Sequence, residues 1–120
     1  RDTLSTVCSL ASVLQSMGKY IEAEPLFKRC LAAMRERTLG AEHPDTLTSV
    51  NNLAGLLESM GKHAEAEPLY NRCLEARQRT LGAEHPDTLT SVNNLAGLLE
   101  SMGKYAEAEP LYKRCLEATE

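Results

Sequence analysis

Apolar residues recur along this chain at intervals of three and four, the spacing that aligns them on one side of an α-helix. In its last third, Leu89, Val92, Leu95, Ala96, Leu99 and Met102 form one stripe, and Tyr105, Ala108, Leu111, Tyr112, Cys115 and Leu116 form a second. The first stripe predicts a helix, termed A, and the second a helix termed B. Pro86-Asp87-Thr88 marks the start of helix A: the first turn tolerates a proline because its missing N–H has no intrahelical acceptor, and an acid suits the positive end of the helix dipole. Gly103 marks its end. In the preceding copy of the pattern, helix B is predicted to run past Arg77 toward Leu81-Gly82. No stretch of useful length alternates with a period of two, so no strand is predicted.

The two-helix pattern repeats. Asp45 to Gln78 and Asp87 to Glu120 differ only at His63/Tyr105, Asn71/Lys113, Arg77/Thr119 and Gln78/Glu120, a period of 42 residues. Asp2 to Leu31 follows Asp45 to Leu74 at an offset of 43, because the first copy carries one extra residue near Ala33-Met34. The copies therefore span residues 1–43, 44–85 and 86–120, the last cut short. A fixed period of this size marks units that cannot bury their apolar face alone and must stack on neighbours. The expected fold is all-α: three antiparallel helix pairs stacked as one α-solenoid. One inserted residue turns everything beyond it by about 100°, to be absorbed by a π-bulge or by a shift at the helix end. The identity of Thr38–Pro44 with Thr80–Pro86 favours the shift. Pro25, Pro68 and Pro110 fall early in helix B, where each removes one backbone hydrogen bond; a slight bend is expected, unless the helix begins after the proline.

The spacing Val92, Leu95-Ala96, Leu99, Gly103, Tyr105, Ala108, Tyr112, Cys115-Leu116 resembles the tetratricopeptide repeat over the whole chain. Two departures are a cysteine where a small alanine is usual late in helix B, and a period of 42 in place of about 34. With Asn93-Asn94-Leu95-Ala96, Ala108-Glu109-Pro110-Leu111-Tyr112 and the linker Thr80 to Pro86, the longer unit is similar to the repeats of kinesin light chains and of many bacterial and fungal scaffold proteins. The resemblance implies a right-handed superhelix, with helix A lining a concave groove that takes peptides and helix B forming the outer wall. The groove positions it implies are Thr48, Asn51, Asn52, Gly55, Glu58 and Ser59, then Thr90, Asn93, Asn94, Gly97, Glu100 and Ser101. The first copy matches them with Ser5, Cys8, Ser9, Ser12, Gln15 and Ser16.

An amide both donates and accepts, so the asparagines suit pairing with the backbone of an extended peptide. The competing reading has one asparagine of each pair bonding the neighbouring repeat and setting the stacking register; both stand. No Lys or Arg occurs from Pro44 to Met60 or from Pro86 to Met102. Repeats that clamp a chaperone's terminal carboxylate need cations there, and Glu58 and Glu100 would repel the acidic peptides that kinesin light chains recognise. A neutral or basic peptide is the expected ligand.

Composition narrows the class further. With one Phe, four Tyr and no Trp the core must be aliphatic, and a formal net charge of −4 argues against nucleic acid and anionic lipid as partners. No apolar run spans a bilayer and no signal peptide is visible, so a cytoplasmic location is expected. The chain begins with Arg and ends partway through a repeat, as a piece of a longer protein or a designed array would.

Cys30, Cys73 and Cys115 lie a full repeat apart on the helix B stripes, which suits small core residues and not a metal site. A disulfide between such equivalent positions is not expected, because stacked repeats hold them on separate helices, too far apart. Cys8, at a groove-asparagine position, is expected to be exposed and oxidisable. His43 and His85 precede a proline at the start of helix A and read as cap or turn residues, not catalytic ones. Nothing assembles a nucleophile with its base, a phosphate loop or a carboxylate pair, so neither enzyme activity nor a cofactor is expected. The leading reading is a protein-interaction scaffold; the alternative is a structural or designed array without a dedicated ligand. Neither end carries a polar capping helix, so chains are expected to associate end to end or to exchange terminal helices. Leu53 belongs to the helix A stripe of the second copy, and Leu53→Ala should lower the unfolding free energy by about 2–5 kcal/mol in urea denaturation; a loss below about 0.5 kcal/mol would remove Leu53 from the core.

Overall fold

The computed structural model of the chain describes residues 3–34 and 43–119. They form six α-helices in chain order: α1 (Thr3–Ser16), α2 (Tyr20–Met34), α3 (Pro44–Ser59), α4 (His63–Leu81), α5 (Pro86–Ser101) and α6 (Tyr105–Thr119). No strand occurs among the described residues. Helices α1, α3 and α5 are the three copies of helix A, and α2, α4 and α6 the three copies of helix B. The chain forms two compact units, Arg1–Lys62 with α1 to α3 and His63–Glu120 with α4 to α6. In the first, α2 packs against both α1 and α3; in the second, α5 packs against both α4 and α6.

Local chemistry sets the helix ends. Every copy of helix A stops at a glycine with positive φ: 78° at Gly18, 79° at Gly61 and 79° at Gly103. Around Gly61, the Lys62 N–H donates to the Leu57 carbonyl at 2.8 Å and the Gly61 N–H to Glu58 at 3.0 Å, a Schellman motif that satisfies two end carbonyls. The same pair of bonds recurs at Gly18-Lys19 and Gly103-Lys104. Any L-residue with a Cβ would be strained in that conformation. At the other end, His85 is the N-cap of α5: its Nδ1 accepts from the Asp87 N–H at 3.0 Å, while Pro86 opens the first turn. Its carbonyl accepts from Leu89 at 3.0 Å, and that of His43 from Leu47 at 2.9 Å, so both histidines begin a helix A.

Helix B begins before its proline in each copy, at Tyr20, His63 and Tyr105, so the start after the proline does not occur. Pro25, Pro68 and Pro110 leave the carbonyls of Ile21, Ala64 and Ala106 without their intrahelical donor. These three residues are exposed, where water can replace it. Helix α4 runs to Leu81 and ends at Gly82 with φ 100°, as the repeat pattern predicts. Helix α2 is α-helical to Met34; residues 35–42, where the expected shift at the helix end falls, lie outside the described residues.

The core is aliphatic, with a few small and aromatic residues set into it. Leu47, Val50, Leu53, Ala54, Leu56 and Leu57 of α3 are buried, as are Val92, Leu95, Ala96, Leu98 and Leu99 of α5. Ala23 and Ala66 are fully buried, the close approach a helix without a large side chain permits.

One sequence expectation is corrected here. Cys8 is half-buried and forms a disulfide with Cys30, tying α1 to α2 within the first copy at a Cα–Cα distance of 5.5 Å. The pair joins different positions of one repeat, so the separation that rules out a bond between equivalent cysteines does not apply. Asn51 and Asn93 stand at the Cys8 position in the other copies, which leaves Cys73 and Cys115 as thiols. Closing a loop across 22 residues should stabilise the folded chain by about 3 kcal/mol. Urea denaturation of Cys8→Ser should show that loss without reductant, and the variant and wild-type curves should coincide once dithiothreitol is added.

Candidate functional site

Helix A has two unlike sides. On α5, Ser91, Val92, Leu95, Ala96, Leu98 and Leu99 are buried, whereas Thr90, Asn93, Asn94, Gly97, Glu100 and Ser101 are exposed or half-buried. Helix α3 repeats the division: Thr48, Asn52 and Ser59 are exposed, and Asn51, Gly55 and Glu58 half-buried. The spacing 90, 93, 94, 97, 100 and 101 follows one face of a helix, so the candidate residues within each helix share one accessible face. On α1, Ser9, Ser12 and Ser16 are exposed and Gln15 half-buried, while Cys8 is taken by its disulfide.

The face on α5 is not uniform. Near its start, Thr90 and Asn93 line a cleft of about 520 Å³ with Glu84, Pro86, Leu89 and Cys115. The Thr90 hydroxyl donates to the Pro86 carbonyl at 3.0 Å, which leaves the Asn93 amide as the more adaptable group there. Near the end of α5, the Tyr112 hydroxyl of α6 donates to Glu100 at 2.9 Å. Gly97 lies opposite the same hydroxyl, 3.7 Å from where a Cβ would sit. Glu100 is therefore oriented by α6, a contact the sequence did not reveal, although both residues recur as Glu58 and Tyr70 in the second copy. Among the described residues, no three His, Cys, Asp or Glu side chains are grouped to hold a metal ion, and no helix is long and apolar enough to cross a membrane.

The tetratricopeptide repeat profile matches residues 2–77 and again 47–120. The chain belongs to the tetratricopeptide repeat family. Among solved structures, this TPR chain is similar to the nearly identical TPR-like repeats of a kinesin light chain from Podosopora anserina, with 30% identity over 96% of this chain and 54% of that one, at a TM-score of 0.84. It is also similar to BtubC (BKLC) from P. vanneervenii, at 26% identity over 96% of this chain and 45% of that one, with a TM-score of 0.87. The present chain thus spans about half the length of each. MamA (AMB-1), at 21% identity over 98% of this chain and 59% of its own, shares the fold with a TM-score of 0.70. No curated protein sequence matches the chain. Proteins of this repeat family serve generally as protein-interaction scaffolds, and the repeats here are of the kinesin-light-chain-like kind.

The TPR junctions carry polar contacts that pattern reasoning missed. In the first unit, Lys62 donates to Glu24 of α2 at 3.1 Å, and Lys28 pairs with the same carboxylate at 3.0 Å. In the second, Lys104 meets Glu67 of α4 at 3.6 Å. Lys62 and Lys104 each directly follow the glycine that ends a helix A, so the cations at the ends of α3 and α5 are engaged by the preceding helix B. Their repetition with the period of the chain was the available signal. Between α4 and α5, Arg77 is only 9% exposed and donates to the Asp87 carbonyl at 3.1 Å and to the Ser91 hydroxyl at 2.9 Å. A cation so enclosed needs such acceptors to offset its lost hydration. Thr119 replaces it in the third copy.

The hydrogen bond from Lys28, aided by that from Lys62 and by both charges, holds the Glu24 carboxyl below its ordinary value, while partial burial acts the other way. A depressed carboxyl stabilises the fold above the ordinary value of 4.5 and ceases to do so as pH falls through the lower folded value. Glu24→Gln should cost about 0.5–1 kcal/mol at neutral pH. In thermal denaturation across acid pH the gap to wild type should close; a gap that stays constant would assign the loss to packing.

Proposed function

We propose that the chain binds a neutral or basic peptide segment along the accessible faces of helix A, with Asn51, Asn52, Asn93 and Asn94 pairing with the peptide backbone. The observation that carries this reading is the division of α5, whose buried side is mainly apolar, with Thr88 and Ser91 set into it, and whose accessible side offers amides, hydroxyls and Glu100 without a single cation. An amide ladder satisfies donors and acceptors of an extended chain irrespective of its side chains. The acidic groups then favour cationic over anionic peptides, acting mainly on encounter rate and discrimination. Each repeat, at residues 1–43, 44–85 and 86–120, contributes one helix A; in the first the matching residues differ and Cys8 is held in the Cys8–Cys30 bond.

Asn52 and Asn93 are exposed, whereas Asn51 and Asn94 are half-buried. One member of each pair therefore remains open to a ligand while the other sits closer to the protein. Asn52→Ala and Asn93→Ala are each expected to weaken binding by about 1 kcal/mol and to leave the melting temperature within about 2 °C. Calorimetric titration with acidic, neutral and basic peptides of equal length checks this. A preference for the acidic series would overturn the proposed ligand class, and binding by none of them would favour an array without a dedicated ligand.

A further inference from the structure

A cysteine occupies the same place of helix B in every repeat, and in the first repeat it is bonded to another cysteine. Cys30 of α2 and Cys73 of α4 are both enclosed, at 2% and 0% exposed. Each sulfur lies beside a serine hydroxyl of the following helix A, at 3.8 Å from Ser49 and 3.6 Å from Ser91. What sets Cys30 apart is the helix A before it, where Cys8 stands at the position of Asn51 and Asn93. Cys30 therefore meets both neighbours of α2, covalently at Cys8 of α1 and through Ser49 at α3.

The two sides of this bond differ in access. Cys8 is half-buried, at a position of helix A that solvent reaches, whereas Cys30 is enclosed. That opening belongs to the position and not to the first repeat: Asn51 is half-buried too, although α2 packs against α3 ahead of it. A thiolate opens a disulfide by bonding one of its sulfurs and expelling the other, and access decides which one it bonds. At this bond the sulfur within reach is that of Cys8.

We propose that Cys8 is a site of reversible modification by a small monothiol, with Cys30 as its shielded resolving partner. Starting from the two thiols, the Cys8 thiolate attacks one sulfur of a low-molecular-weight disulfide; a mixed disulfide forms on Cys8 and one thiolate leaves. Cys30, its proton passed to water, then attacks the Cys8 sulfur, closing Cys8–Cys30 and releasing the second thiolate. The two cysteines have lost two electrons and two protons, and the external disulfide has become two thiols. In reverse, an incoming thiolate bonds Cys8 and Cys30 departs as the thiolate, with the Ser49 hydroxyl placed to donate to it. A thiol held on Cys8 occupies on α1 the position that Asn51 and Asn93 have on α3 and α5.

Oxidised glutathione is the probe, read by mass spectrometry after an acid quench. Tryptic peptides separate the two sites, because Lys19, Lys28 and Arg29 lie between Cys8 and Cys30. Added to the whole chain after reduction and removal of dithiothreitol, the probe should give a transient adduct on Cys8 that decays as Cys8–Cys30 closes. In Cys30→Ser the adduct should form on Cys8 and persist. In Cys8→Ser, Cys30 should stay as unreactive as buried Cys73, at least about tenfold slower than Cys8 in Cys30→Ser. Ser49→Ala should slow opening of the bond by dithiothreitol about threefold. An adduct on Cys30 of the wild type, or none on Cys8 in Cys30→Ser, overturns the proposal. Peptide binding enters none of these readouts, so the outcome is independent of that reading.

Discussion

The structure depends on one contact: the apolar side of a helix B set against the stripe of the helix A that follows it in sequence. Inside the described units this contact occurs as α2 on α3 and α4 on α5. Neither partner could bury its stripe alone. A single helix of about 15 residues is marginal in water, and its persistence here comes from removing leucine, valine and alanine side chains from solvent. Alanines such as Ala54 and Ala96 contribute by being small, letting neighbouring helices approach while Leu56 and Leu98 fill the space beside them.

Around that shared apolar contact the junctions are individualised by polar groups. The first has a glutamate gripped by two lysines; the second has a looser lysine–glutamate pair and an enclosed arginine held by a carbonyl and a serine hydroxyl. The first copy adds a covalent tie between its own two helices. Related sequences thus yield junctions with different polar contacts, because a few side chains decide how much charge is desolvated and how well it is compensated. Such polar contacts add little energy individually, but they penalise a stack that slips by one turn.

The same packing explains why one side of helix A is open to solvent. On α5 two stripes are consumed by α4 and α6, and the remaining third carries polar residues: asparagine, threonine, serine and glutamate. The proposed binding therefore uses what stacking leaves over, a polar surface fixed in position by an apolar one. Glu100, steadied by the Tyr112 hydroxyl, shows how the outer helix can orient a side chain on the accessible face of the inner one.

The six helices, their order and most of their ends were legible in the residues, since periodicity, Pro-Asp starts and glycine stops are local signals that act over a few bonds. The accessible positions of α3 and α5 were legible too, because a helix with a buried stripe has a determinate opposite face. What tertiary structure alone decided were meetings between residues distant in sequence: Cys8 with Cys30, Lys62 with Glu24, Arg77 with Ser91, Tyr112 with Glu100. Cys8 shows the reason well. As a sequence position it replaces an asparagine of the accessible side, but the crossing of α1 over α2 brings its sulfur to Cys30. Helical spacing fixes direction around one axis; it carries no information on which side chain of another helix waits at the crossing point.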